Sequence, residues 1–276
     1  MITSNKPNRL NKVLSYLLLV VLAVVILAPF FIGIWTSFLP TMDIAQGNFF
    51  STKVSFDNYV AAFTKTPIVR YLGNSLVIST LTMLAQLVFC SMSAYAFVFL
   101  KFKYRNAIFI LFLITMMLPF EAEIIPNFTT VKNLGMLDNY SVLLIPFLTS
   151  AFGTFMLRQA FMQTPTELKE AADIEGLNHF QIYWSIVLPY NKISMITLGA
   201  YSFLGAWNQY LWPMLTTFSN DSRLIQNGLR QLQSEETFND WGMIQASAAI
   251  IVIPTIIVLF VGQHYFKSGM NEGAVK

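Results

Sequence analysis

Long uncharged stretches alternate with short charged ones along this chain. Val13–Met42, Tyr71–Leu100, Asn106–Phe120, Asn139–Leu157, Ile193–Asn220 and Trp241–Phe266 contain no Asp, Glu, Lys or Arg. A helix needs about 20 mainly apolar residues to cross a bilayer, range roughly 17–25. Five stretches meet that length outright. The third is shorter and is expected to continue past Glu121 and Glu123 toward Pro126. Within each stretch the apolar residues run continuously rather than alternating, which favours helices over the strands of a membrane barrel. The expectation is an all-α polytopic membrane protein, a single domain over 1–276. Its six spans fall near 13–36, 72–100, 106–126, 139–158, 190–213 and 242–266.

Between the fourth and fifth spans lies a polar, charge-bearing segment, 164–189, with helix signals of its own. Thr164, Pro165 and Glu167 have the order of an N-cap, a first-turn proline and a capping-box acid. Leu168, Ala171, Ala172 and Glu175 follow the spacing of one helix face, most of it small. Gly176 is placed to end that helix in the left-handed conformation. Asn178 and Gln181 then suit the cap of a second helix, to which Phe180, Tyr183, Trp184 and Val187 give an apolar side. Pro189 marks entry to the fifth span. On periodicity alone, a helix-turn-helix of this kind suits an amphipathic element lying on lipid headgroups as well as it suits a docking element.

Composition agrees with a membrane frame. Hydrophobic residues make up 55% and charged residues 11%, where a soluble protein carries about 25% charge; mean hydropathy is +0.57. With the N-terminus inside, eleven of the seventeen Lys and Arg fall in inner segments and six in outer ones. That asymmetry sets both termini and the 164–189 loop on the cytoplasmic side. The first apolar run has the basic start of a signal peptide but a far longer apolar centre and no small-residue cleavage site, so it reads as a retained span. Cys90 stands alone within the second span, which excludes a disulfide framework and suits a small buried side chain. No low-complexity segment or internal repeat stands out.

The 164–189 loop also carries a fixed pattern: Glu170-Ala171-Ala172, then Gly176, then Ile186-x-Leu188-Pro189. This resembles the cytoplasmic coupling loop of permease subunits in bacterial ABC importers. Six spans, the run Trp207-Asn208-Gln209-Tyr210-Leu211-Trp212-Pro213 and the ending Gly269…Gly273-Ala274-Val275-Lys276 resemble the carbohydrate-uptake branch, which extends the likeness over nearly the whole chain. One departure is Leu177, where relatives often carry Ala. The resemblance implies an inner-membrane location and a second, homologous permease. It also implies two ATPase subunits that bind ATP and Mg, and an extracytoplasmic solute-binding protein. It makes Glu170, Ala171, Ala172 and Gly176 the core ATPase-docking positions, with Glu167 and Asp173 beside them.

The chain has no G-x-x-x-x-G-K-[ST] run and so no phosphate-cradling loop of its own. It is expected to be non-enzymatic, with no cofactor or metal of its own. His179 and His264 lack ligand-spaced partners, and a net charge of +3 distributed by topology does not point to nucleic acid. Prolines 29, 119, 126, 146 and 254 fall in or near spans and signal kinks. Glu121 and Glu123 are the only charges within an expected span; both suit either the outer interface or the translocation path. Tyr201, Trp207, Asn208, Gln209 and Tyr210 suit contact with a polyol, or an outer aromatic belt and subunit packing. The leading expectation is import of a sugar, oligosaccharide or sn-glycerol 3-phosphate, driven by ATP in a partner. The alternative is an ion-gradient-driven transporter of a small polar solute, which calls for ionisable residues at mid-bilayer and repeated halves.

Overall fold

The computed structural model describes residues 9–231 and 240–273, with side chains from Lys12 to Arg230 and from Asp240 to Gly262. His264 and the final Ala274-Val275-Lys276 of the sequence reading lie outside the described residues or side chains. The described secondary structure is helical throughout. In chain order the helices are α1 Arg9–Thr36, α2 Thr41–Ala45, α3 Asp57–Lys65, α4 Ile68–Phe99, α5 Arg105–Ile114, α6 Phe120–Asn133, α7 Tyr140–Leu144 and α8 Ala151–Phe161. Then come α9 Thr166–Ile174, α10 His179–Ile182, α11 Leu188–Tyr190, α12 Lys192–Trp207, α13 Leu211–Thr216, α14 Ile225–Gln231 and α15 Trp241–Gly273.

Four segments are long and apolar enough to cross a membrane: Lys12–Thr36, Ile68–Phe99, Tyr140–Phe161 and Trp241–Gly262. A fifth arises if the bent pair Arg105–Met117 and Phe120–Asn133, which turns through 99°, counts as one span. The third expected span therefore does not run straight from 106 to 126. Leu118 precedes Pro119 and takes an extended ψ of 121°, because the proline ring clashes with a helical residue before it. The expected span at 190–213 is also interrupted. α12 stops at Trp207, the chain breaks over Asn208–Tyr210, and a short α13 follows. Pro213 has no N–H for a continuous helix and would clash with the carbonyl four residues back, so the break falls just before it.

The chain divides into two compact units. The first comprises residues 1–66 and 232–250. Here Asn58 Nδ2 donates to the carbonyls of Ser37 and Leu39 at 2.8 and 2.7 Å, and Thr41 Oγ1 donates to Asp240. A Cβ at Gly242 would come within 2.4 Å of the Asn58 side chain, so only glycine lets the start of α15 pass there. α1 is apolar on every side and almost wholly exposed within this chain. That surface needs lipid or another subunit to cover it.

The second unit comprises residues 67–231 and 251–276. Helix α4 is its axis, packed along α8 and α12. One core joins Cys90, Ala94 and Tyr95 of α4 to Leu157 and Phe161 of α8, Leu198 of α12, and Ala172, Ile182, Tyr183 and Val187 from the 164–189 loop. A second gathers Ile78, Ile124, Val131, Val142, Leu143, Trp212 and Leu224. Residues 216–225 are strapped onto this second region. Asn74 Nδ2 donates to the carbonyls of Asp221 and Arg223, both at 2.9 Å, while Asn74 Oδ1 accepts from the Tyr140 hydroxyl at 2.6 Å. Asp138 Oδ1 accepts from the backbone N–H groups of Phe218 and Ser219 and from the hydroxyls of Ser219 and Ser222. These donors hold the Asp138 carboxyl well below the usual carboxylate range, the Ser222 hydroxyl contributing most.

Candidate functional site: a docking loop and a polar cavity

The 164–189 segment folds as a helix, a tight turn and a second helix. α9 ends at Gly176, whose φ of +72° suits a residue without Cβ. The Gly176 N–H reaches the Asp173 carbonyl at 3.2 Å and the Leu177 N–H reaches the Ala172 carbonyl at 3.0 Å. That pair of bonds is a Schellman motif, and Leu177 packs on the core containing Ala172. Asn178 then caps α10 with a complete capping box: its side chain accepts from the Gln181 N–H at 3.0 Å, and the Gln181 side chain accepts from the Asn178 N–H at 2.8 Å.

The start of α9 differs from the sequence expectation. Pro165 occupies the cap position, and no side chain caps the helix. Thr164 is turned inward, where its Oγ1 accepts from Asn191 Nδ2 at 3.0 Å. Asn191, itself buried, also donates to the Val187 carbonyl at 2.9 Å. A tertiary hydrogen bond has taken the side chain that local sequence suggested for a cap. Beyond α10 the backbone widens into a π-helical turn over Tyr183–Val187 before α11; such turns relieve a register mismatch, often at functional places.

The loop is fastened to the bundle rather than resting freely. The Tyr183 hydroxyl lies 2.8 Å from Ser91 Oγ, and the Tyr95 hydroxyl lies 3.1 Å from His179 Nδ1. The face set out for docking is split accordingly. Ala172 is 2% exposed and sits in this chain's own core, where it seats α9 on the bundle. Glu167, Glu170, Ala171, Asp173 and Gly176 are exposed. Asp173 pairs with Lys169 at 2.6 Å along the helix. Phe180 and Trp184 face outward, while Tyr183 and Val187 are buried. The sequence reading missed Ile174, which is 87% exposed at the end of α9. An isoleucine directly before the turn-forming Glu175-Gly176 was the available signal.

The expected path residues do not form one group. Tyr201 and Gln209 share a cavity of about 210 Å³ with Thr82 and Gln86 of α4, Ser150 ahead of α8, and Ser202 of α12. Gln86 is held from both ends of its amide: Nε2 donates to the Phe147 carbonyl at 2.9 Å, and Oε1 accepts from Ser202 Oγ at 2.6 Å. The Tyr201 ring leans on Phe152 with centroids 4.7 Å apart and stays half exposed. Trp207 is 1% exposed, stacked on Phe203, and outside that cavity's lining. Asn208 is exposed where α12 ends, apart from the cavity lining. Glu121 is exposed in the first turn of α6, where the helix N-terminus favours an acid; it too lies outside that lining. Thr82, Gln86, Ser150 and Ser202 were not picked out from sequence, because only charge and aromatic clusters were sought within the spans.

A family model for the inner-membrane component of binding-protein-dependent transport systems matches residues 86–272. The chain belongs to this family. It is thus a membrane-embedded permease component of an ABC importer. Among its relatives is the sn-glycerol-3-phosphate transport system permease protein UgpE of Yersinia pestis bv. Antiqua (strain Antiqua), 36% identical over 208 residues, or 75% of this chain and 74% of that one. The UgpE protein of Brucella abortus (strain 2308) is 35% identical over 204 residues, covering 74% and 72%. A solved bacterial ABC transporter involved in the import of the acidic polysaccharide alginate contains a chain of the same fold. The TM-score is 0.86, with 24% identity over 95% of this chain and 98% of that one.

Proposed function

We propose that this permease component imports a carbohydrate, whether a sugar, an oligosaccharide or sn-glycerol 3-phosphate, and that the 164–189 loop couples it to the ATP cycle of separate ATPase subunits. The carrying observation is the build of that loop. α9 is rigidly terminated at Gly176 and seated through Ala172, yet it presents Glu167, Glu170, Ala171 and Asp173 outward. Exposed Ile174, Phe180 and Trp184 flank that acidic ridge with apolar surface. In this reading the membrane holds six spans, counting the interrupted 190–213 segment, with both termini and the loop in the cytoplasm. A second permease completes the path, and a solute-binding protein delivers substrate from outside.

Closure of the ATPases on ATP pushes the docked loop. Tyr183 and His179 pass that displacement to Ser91 and Tyr95 of α4. α4 also carries Thr82 and Gln86 of the polar cavity, so one helix bears both the loop's contact points and part of the cavity wall.

The test is uptake by proteoliposomes holding the complete transporter. Glu170→Lys is expected to stay in the membrane at wild-type abundance and to lose ATP-driven uptake. Wild-type uptake by that variant would overturn the docking role. Uptake that survives ATP depletion but collapses with an ion gradient would favour a secondary transporter instead.

A further inference from the structure

We infer that the end of the bundle where α4, α5 and α8 meet is a binding site for an anionic phospholipid, its phosphate held by Lys101, Lys103 and Arg158 and one acyl chain laid along α5. The inference needs only a membrane-embedded chain and does not depend on the coupling role of the loop or on the solute carried.

Arg158 is the telling residue. It lies in the last turn of α8, with its guanidinium 4.1 Å from the ring centroid of Phe109 on α5. Phe109 is buried, and its ring also meets Phe97 of α4 and Phe155 of α8, with centroids 5.3 and 6.5 Å apart. A cation over a ring face is stabilised, but the ring supplies no counter-charge. Arg158 has no ion pair and no hydrogen bond among the described residues. Of its nitrogens only Nε is buried without a partner, so the two Nη groups open to the surface and are the atoms an anion can reach. A partly buried guanidinium without an anion is unfavourable, which sets Arg158 apart from a loop cation that points into water.

α5 begins one turn away from that ring. Arg105 precedes Phe109 by four residues and shares its helix face. Its Nη1 donates to the Val98 and Leu100 carbonyls at 3.3 and 3.2 Å, closing the end of α4. Lys101 and Lys103 are exposed beside it, and no carboxylate pairs with either among the described residues. Lys103 Nζ lies 4.8 Å over the Tyr104 ring. Lys101, Phe102, Tyr104, Arg105, Asn106 and Ala107 line an open cavity of about 450 Å³ with no acidic residue in its wall. Basic pockets of this kind between membrane helices suit phospholipid headgroups, and aromatic residues suit the same depth.

The rest of α5 points to a lipid rather than a free anion. Tyr104, Ile108 and Leu111 are exposed at steps of four and three, a stripe on one helix face. α5 is ten residues long, ~15 Å at 1.5 Å per residue, and the chain bends by 99° beyond it. Half of a hydrocarbon core of about 30 Å is the same length. The stripe therefore runs through one leaflet, from the cations to the depth where an acyl chain ends.

The experiment places the complete transporter in nanodiscs of phosphatidylcholine and phosphatidylglycerol in equal parts. Lipids retained after mild detergent extraction are counted by headgroup in native mass spectrometry, and subunit content is read from the same spectra. The wild type should retain phosphatidylglycerol in excess over phosphatidylcholine. That excess should fall about 5-fold for each cation removed, in Arg158→Gln and again in Lys101→Gln with Lys103→Gln. Arg158→Lys keeps the charge and should keep most of the excess, and Lys132→Gln, on α6, should leave it unchanged. Inorganic phosphate exchanged for chloride at constant ionic strength should not displace the lipid; displacement would make this a free-anion site and overturn the lipid assignment. Equal excess in the wild type, Arg158→Gln and the double lysine variant would overturn the site. So would an Arg158→Gln transporter that loses its second permease yet keeps the excess, since Arg158 would then serve a protein carboxylate. If Arg158→Gln does not assemble at all, the double lysine variant decides: an unchanged excess there overturns the site, and a fall supports it.

Discussion

Gly176 offers a clean perturbation of the docking loop, because its backbone and its surroundings make separate demands. Its φ is +72°, yet a Cβ built there meets nothing within 4 Å. Substitution therefore costs backbone energy alone, about 1–2 kcal/mol for an ordinary L-residue held in the left-handed region. Asn tolerates that region better than most, so Gly176→Asn should be milder than Gly176→Ala. Gly176→Pro is of another order. Proline fixes φ near −65° and has no N–H, so it excludes the observed turn and removes the bond to Asp173. α9 is nine residues long, too short to hold its shape without its anchors. A cost of 1–2 kcal/mol lowers the population of the formed loop relative to its open state by about 5–30-fold. Hydrogen exchange across α9 in the reconstituted complex should accelerate by that factor in Gly176→Ala, by less in Gly176→Asn, and to the limit of exposed amides in Gly176→Pro. ATP-driven uptake should fall in the same order. Wild-type exchange and uptake in Gly176→Pro would refute the view that this turn sets the loop.

Four other changes bear on other parts of the fold. Ser91→Ala and Tyr183→Phe each remove one hydroxyl of the contact between loop and α4; each should destabilise by about 0.5–1.5 kcal/mol, with clear non-additivity in the double mutant by thermal unfolding in detergent. Asp138→Asn should lower Tm, by about 2–4 °C for each kcal/mol lost. Since the folded Asp138 carboxyl titrates below its unfolded value of about 3.9, its contribution is present at neutral pH. It should fade only as pH falls below about 4, which a Tm-versus-pH series against the Asn variant reads directly. Gly228→Ala would set a Cβ 2.2 Å from Tyr71 Cδ2; overpacking of this kind costs about 1–3 kcal/mol and should loosen the 216–225 strap, measurable as faster limited proteolysis there. Cys90 is wholly buried, with Ser150 N–H and carbonyl at its Sγ, so a maleimide should label it only after denaturation.

The parts legible in the sequence were those fixed by residues close together in the chain. Gly176 and the Asn178–Gln181 box needed only their neighbours, and both formed as the spacing implied. Thr164 failed as a cap because Asn191, distant in sequence, offers its hydroxyl a buried partner. Pro119 was visible as a kink, but its 99° turn depends on packing around it, and the three-residue break before Pro213 was not foreseen. Trp207 had the composition of a path residue. Its place was settled by the stack on Phe203, which no local pattern announces.

Helix α4 shows why a count of charges could find the membrane part but not its interior. Its buried polar residues Ser75, Ser79, Thr82 and Gln86 recur at steps of four, three and four, the stripe of a single helix face. None carries charge, so the run scored as uniformly apolar. Each of the four is buried, and their fates differ: Ser75 accepts from the Ile225 N–H at 2.9 Å, Gln86 is pinned, and Ser79 and Thr82 have no partner within this chain's described residues. Farther along the same helix, Ser91 and Tyr95 meet the docking loop. From Tyr95 to Thr82 is ~20 Å at 1.5 Å per residue, a length over which a well-bonded helix moves as one piece. A tilt imposed at the loop end must therefore displace the hydroxyl at the cavity end. On the proposed coupling, a loop whose outward face is acidic and a cavity whose described wall is neutral serve one cycle, because the helix between them would transmit position rather than charge.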